Sequence, residues 1–229
     1  MVRGLTPDLA WLSAPFREVG LDLAVGRARA RMADGELELD LAADVIDLRR
    51  DGRRVAAFDR VIRRRAAWHR SSLTYEPFQR QGIARRLLTA SVALYDSLGL
   101  SHVHLNAVGP GRYVWACAGF DFAERVLGSQ AEPPALAPLR DLAARLGHDL
   151  GDAASSWEIA GRRENVPAGL FEARGGSMKF LGSPADCEGP LGRVLFLCSG
   201  VGDWNGVLDL APGGPRRRQF ERYCLPVRE

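Results

Sequence analysis

Lysine is nearly missing from this chain: Lys179 is the only one. Arginine carries the remaining positive charge, which reads first as a bias of the coding sequence and second as function. Cysteine is sparse too. Cys117, Cys187, Cys198 and Cys224 are scattered, with no CxxC pair. That spacing argues against a metal cluster, so no metal is expected, and a reduced cytoplasmic protein is the simplest reading. No run of about 18 apolar residues occurs, so no helix is expected to span a membrane. Met1 to Phe16 lacks a continuous apolar core and carries Asp8, a poor match to a secretory signal. Charge of one sign is also lacking. The net charge of +3 is too mild to point to nucleic acid. No internal repeat is visible.

What is present suits a soluble globular chain of one large domain, or one domain with an appended lobe. It has 229 residues, 46% hydrophobic and 26% charged. Leu9, Leu12 and Phe16 make one apolar side of a short helix. Gly20 to Met32 is either a helix or a strand with an arginine-rich face; Ala24, Ala28 and Ala30 lean weakly to helix. From Glu36 the period changes. Leu37, Leu39 and Leu41 alternate with Glu36, Glu38 and Asp40, a half-buried strand. Val45 to Arg49 alternates again, and Asp51-Gly52 is a hairpin signal. Val55, Ala57, Asp59 and Val61 mark the return strand, and Trp68 to Tyr75 marks another.

The stretch Leu73-Thr74-Tyr75-Glu76-Pro77-Phe78-Gln79-Arg80-Gln81-Gly82-Ile83-Ala84-Arg85-Arg86 reads as strand, turn and helix start. Gly82 has no Cβ, so a large group can approach its backbone. The first amides of a helix lack internal partners and carry partial positive charge. Together they suit a phosphate or pyrophosphate, with Arg80, Arg85 and Arg86 adding charge around it. Leu87, Leu88, Ser91, Val92 and Tyr95 fall on one helix face behind the loop. A glycine turn, a strand from His102 to Ala107, and Tyr113-Val114-Trp115-Ala116-Cys117-Ala118-Gly119-Phe120 follow.

Gln79-x-x-Gly82-x-Ala84 resembles the acyl-CoA loop of the GNAT superfamily of acetyltransferases, and the run ending Gly119-Phe120 resembles a later segment of that family. The resemblance covers roughly residues 36 to 122. It implies an α/β chain of the α+β kind: a GNAT-like mixed, mostly antiparallel twisted sheet with flanking helices. Residues 1–125 would hold the acyl-CoA-binding core. Residues 126–229 would complete the sheet or cap the acceptor side.

By the same resemblance, acetyl-CoA or another acyl-CoA is the cofactor. Gln79, Arg80, Gln81, Gly82, Ile83, Ala84 and Arg85 would hold its pyrophosphate, and the backbone of Leu73, Thr74 and Tyr75 its pantetheine arm. A bulge in that strand would splay two strands apart, and backbone N–H groups would polarise the thioester carbonyl. The implied reaction is acyl transfer to an amine, small molecule, peptide or protein; a homodimer stays open. A general base is sought in His69 or Glu76. The family's usual acid is a Tyr, but alignment on Gly119-Phe120 puts Trp115 there, leaving Tyr113 two residues earlier to supply a hydroxyl. That departure also fits a GNAT-like module without catalysis that binds a partner or ligand.

The remaining features have plainer readings. His102-x-His104 puts two imidazoles on one strand face with no evident third ligand. Leu136, Leu139, Leu142, Ala143 and Leu146 indicate a helix from about Pro138 to Leu146. A second helix is expected within Asp152 to Glu164, capped by Asp152, and loop from Pro167 to Pro190. Val194 to Cys198 reads as a buried strand, Trp204 to Leu210 as a turn and strand, and Arg216-Arg217-Arg218 as a solvated tail.

Overall fold

The computed structural model describes residues 10–33, 36–50, 52–129, 131–151, 155–167, 170 and 187–225. The chain forms two compact units, residues 1–105 with 224–229, and residues 106–223.

The first unit begins with helix α1 (Ala10–Glu18) and a four-strand meander: β1 (Leu21–Ala33), β2 (Glu36–Asp47), β3 (Arg53–Arg63) and β4 (Ala66–Thr74). Each neighbouring pair is antiparallel. Helix α2 (Ile83–Ser97) follows, and then β5 (His102–Ala107), which lies parallel to β4. This is a mixed, mostly antiparallel sheet with flanking helices, as expected at that coarse level. The stretch after Gly20 is strand, not helix, because β1 pairs with β2 over almost its whole length. A ladder of that length outweighs the few tenths of a kcal/mol by which alanines favour helix.

The core of this unit lies between the sheet and the two helices. Leu39, Leu41, Ala43 and Val45 of β2 and Ala56, Phe58 and Ile62 of β3 are buried. Leu87, Leu88, Ser91, Val92 and Tyr95 are buried on α2, as their spacing predicts. Phe16 of α1 stacks on Phe58 with ring centroids 6.0 Å apart. The packed face of β3 is therefore the even-numbered one. Ala57, Asp59 and Val61, which mark the strand in the sequence, lie on its half-buried face. The pattern is disguised because Arg60 sits among the core positions at 3% exposure.

The second unit is mostly helical. Its elements are α3 (Gly111–Cys117), β6 (Asp121–Phe122), α4 (Ala123–Val126), α5 (Leu136–Arg145), α6 (Ser156–Ala160), β7 (Asn165–Val166), β8 (Gly189–Pro190), α7 (Leu191–Cys198), β9 (Trp204–Asp209) and α8 (Pro215–Cys224). β6 and β9 pair antiparallel, and Trp204 packs edge-on against Phe122 at 5.3 Å. Helix α7 touches α3, α5 and α6.

Several expectations are corrected here. Val194 to Cys198 is helix, not strand. Its run is apolar throughout, and a short, wholly apolar run has no sequence period that separates the two. Gly192 explains how it fits: a Cβ there would lie 2.4 Å from the Ala160 carbonyl oxygen, so the α6–α7 contact admits only glycine. Arg216, Arg217 and Arg218 are not a tail but part of α8. Arg216 pairs with buried Asp121 at 3.1 Å and lies over the Trp157 ring. Helix α6 is capped by Ser155, whose side chain and Glu158 form a reciprocal capping box; Asp152 lies outside the described residues. So does most of the expected loop after Pro167. Cys187 and Cys198, scattered in the sequence, bring their sulfurs to 2.7 Å in a buried contact.

Candidate functional site

The site is built around β4. Two ladders flank this strand, and they end at different places. On the β3 side the pairing runs from Ala66 to Thr74, interrupted where Asp59 faces Ser71 and Arg60 faces His69. Arg70 is the extra residue of a β-bulge. On the β5 side the parallel pairing covers only Ala66↔His102 to His69↔Leu105. β4 thus continues for Arg70 to Thr74 after its partnership with β5 has ended. Ser71, Ser72 and Leu73 are exposed along this stretch, Leu73 by 53%. The ladder therefore stops at the bulge and leaves an edge able to pair with an extended ligand.

The bulge is held from both faces. On the packed side, the buried Arg60 guanidinium donates through Nη1 to the Asp59 carbonyl at 3.0 Å and to the Ser71 carbonyl. On the open side, Arg70 donates through Nε to Asp59 at 3.0 Å and through Nη2 to Asp40. Arg27 reaches the same two carboxylates at 3.3 and 3.4 Å. Exposed pairs of this kind contribute little each, but two arginines sharing two carboxylates form a network that fixes one geometry. Neither Arg60 nor this network was legible as a site from the sequence. The signal available was an arginine interrupting the apolar even-numbered positions of β3.

His69 belongs to the packed side. It is 7% exposed, and its Nε2 lies 2.8 Å from the Tyr95 hydroxyl of α2. Burial first, and the Arg60 charge second, hold its pKa well below the usual imidazole value. The imidazole is therefore neutral at neutral pH, as a base must be, but its ring is packed into the α2 interface. Glu76 is exposed and precedes Pro77 across a cis peptide bond, at the start of the turn after β4.

That turn is tied down by its own side chains and backbone. Phe78 N–H donates to the Tyr75 carbonyl at 2.8 Å, and Tyr75 N–H donates to the Val55 carbonyl at 3.0 Å. Gln79 donates to the Thr74 carbonyl at 3.2 Å, and Gln81 to the Pro77 carbonyl at 2.8 Å. Gly82 is the N-cap of α2 with φ 75° and ψ 7°. A Cβ there would meet nothing within 4 Å, so the space over this residue is open and only the left-handed backbone demands glycine. Ile83 turns into the core, while Ala84 and Arg85 face outward. Arg80 is exposed and also left-handed, φ 61°.

Arg86 does something other than the sequence suggests. Its Nη2 lies 2.6 Å from Asp47, which is 1% exposed, and its Nη1 donates to the Val19 carbonyl. Burial alone would raise the Asp47 pKa, but the Arg86 and backbone hydrogen bonds outweigh it and hold it below the ordinary carboxylate value. Arg86 anchors α2 and is not part of the loop's charge.

Tyr113 lies on α3 in the second unit. Its pKa is pushed up to about 12, by burial first and then by Cys117. A phenol of that kind protonates a departing thiolate uphill, since thiols titrate near ~8.5. Trp115 packs edge-on against Phe120 at 5.4 Å. Gly119 has φ 89°, and a Cβ there would lie 2.7 Å from the Arg216 carbonyl oxygen, so the Gly-Phe pair has a structural reason of its own.

No family model, curated protein or solved structure matches this chain.

Proposed function

We propose that this chain is an acyl-CoA-dependent N-acyltransferase of the GNAT kind, acting on acetyl-CoA or another acyl-CoA and an amine. The observation that carries the reading is the end of the β4–β5 ladder at His69↔Leu105, next to the Arg70 bulge and thirteen residues before the open backbone at Gly82. The exposed edge of Leu73 and Thr74, continuing to Tyr75, accepts the pantetheine amides as an added strand. The amides of Gly82, Ile83 and Ala84 receive the pyrophosphate, with Gln79, Arg80, Gln81 and Arg85 around it. β4 backbone N–H groups past the bulge polarise the thioester carbonyl. The amine nitrogen attacks that carbon, the C–S bond breaks, and the amine's surplus proton passes through water to Glu76. Exposure favours Glu76 over His69 for this task, because His69 is engaged with Tyr95. The cytoplasm, where acyl-CoA is available, is the proposed compartment.

The second reading is a GNAT-like binding module without turnover. Trp115 packed on Phe120, and a Tyr113 hydroxyl of raised pKa, favour it. Free thiol released in the presence of amines separates the two.

The test is calorimetry of acetyl-CoA with the full chain and with Gly82→Asp. Micromolar binding, on the order of −8 kcal/mol, should fall at least a hundredfold in the variant while its circular dichroism stays unchanged. Equal affinity in a folded variant removes the loop from the site.

A further inference from the structure

The turn that opens β4 has an unusual backbone. β3 ends at Arg63 and β4 begins at Ala66, so Arg64 and Arg65 form a two-residue hairpin loop. Both have positive φ, 48° and 60°. Two left-handed residues in such a loop favour Asn-Gly, because a side chain with a Cβ is strained there. Arginine at both positions works against the fold, and strain of this kind tends to be kept where the side chain is needed.

Arg65 has local work. Its carbonyl accepts from the Ser101 N–H at 2.7 Å and hydroxyl at 3.1 Å, and its Nε donates to the Gly99 carbonyl at 3.4 Å. Arg64 lines a groove of about 410 Å³, together with Arg63, Trp68, Ser101, His102 and His104. That volume falls within the range of small-ligand sites, roughly 300–1,000 Å³. The walls are ordered. Trp68 stacks on His104 at 4.1 Å and 8°, and the Arg63 guanidinium lies 5.5 Å from the Trp68 ring centre. The His102 Nδ1 lies 2.9 Å from the Ser101 hydroxyl.

Some arginines of the sheet are matched by carboxylates. Arg27, Arg31, Arg54 and Arg70 each pair with an aspartate or glutamate on a neighbouring strand. Among the described residues, Arg63 and Arg64 pair with no carboxylate. Glu38 also lines the groove, but Arg31 takes it.

We propose that this groove binds a phosphate group, free or as the monoester of a small metabolite. Two guanidinium groups and two imidazoles line one groove, and among the described residues neither guanidinium has a carboxylate partner. Guanidinium geometry matches a phosphate's paired oxygens. The site is separate from the loop at Gly82 and stands whether or not that loop binds acyl-CoA.

The test is calorimetry at fixed ionic strength with inorganic phosphate and with phenyl phosphate. The proteins are the full chain, Arg63→Gln, Arg64→Asn, the Arg64→Asn/Arg65→Gly pair, and Gly82→Asp. The turn variants carry the residues the turn prefers, so they keep the fold. We expect saturable binding to the full chain and at least a tenfold loss in the Arg63 and Arg64 variants, with Gly82→Asp unchanged. Tighter binding of phenyl phosphate assigns the site to an ester, and equal binding to free phosphate. Absence of saturable binding, unchanged affinity in the arginine variants, or loss in Gly82→Asp would overturn the proposal.

Discussion

The turns at the two ends of β4 use the same region of backbone space for opposite purposes. At its start, Arg64 and Arg65 are left-handed although they carry long side chains. After its end, Gly82 is left-handed with no side chain and with open space where a Cβ would stand. The first turn holds two charged side chains at the expense of strain; the second strains Arg80 in the same way, φ 61°, but has no side chain at the helix cap, where the backbone is open. A positive φ is informative only together with the residue that adopts it. Glycine there lets a ligand approach the main chain. Arginine there raises the question of what its guanidinium serves.

β4 runs between the two turns, and His69 and Tyr95 bolt it to α2. Acid should loosen that bolt. The folded pKa of His69 lies well below its unfolded value near 6.5, so the unfolded chain binds a proton that the folded chain refuses. Stability is then full above about pH 6.5 and falls as pH drops, by at most about 1.4 kcal/mol per pH unit until the folded pKa is reached. Half-buried His104, whose pKa is lowered by burial and by His102, adds a loss of the same sign. Urea titrations between pH 7.5 and 5 should show the decline, and His69→Gln should flatten most of it. An equal decline in His69→Gln would move the cause elsewhere.

Two smaller effects sharpen the contrast by their opposite signs. Replacing Arg64 and Arg65 by Asn and Gly should stabilise the fold by about 1–2 kcal/mol, the relief of left-handed strain less the backbone entropy glycine loses. Gly82→Ala should destabilise by about 1 kcal/mol, with strain as its only cause because no clash awaits the methyl group. Thermal melts of both variants check the pair. A loss in the first, or no change in the second, would break the contrast.

Much of the first unit was legible because its strands alternate and its turns are marked. The apolar face of α2 and the glycine at its cap follow directly from spacing. The register of β3 did not, because Arg60 occupies a core position and inverts the apparent pattern. Arg86 looked like loop charge, and only the fold brings buried Asp47 to it from the end of β2. In the second unit, Val194 to Cys198 of α7 is apolar throughout and so hides its helical period, although half-buried Arg193 and Leu197 recur four residues apart, and α8 looked like a solvated tail because its arginine run has partners distant in sequence, such as Asp121. The place where β4 leaves β5 had no side-chain signature at all. It is a property of hydrogen-bond registers, and the residues that enforce it, Arg60 and Arg70, act through carbonyls and carboxylates on other strands.

The most direct measurement is an acetyl-CoA titration followed by backbone amide chemical shifts. The account predicts that the amides of Ser71 to Thr74 and of Gly82 to Ala84 move together along one binding curve, while those of Arg63 to Arg65 stay still. Shifts confined to the Arg63–Arg65 turn, or no shift at either end of β4, would contradict it.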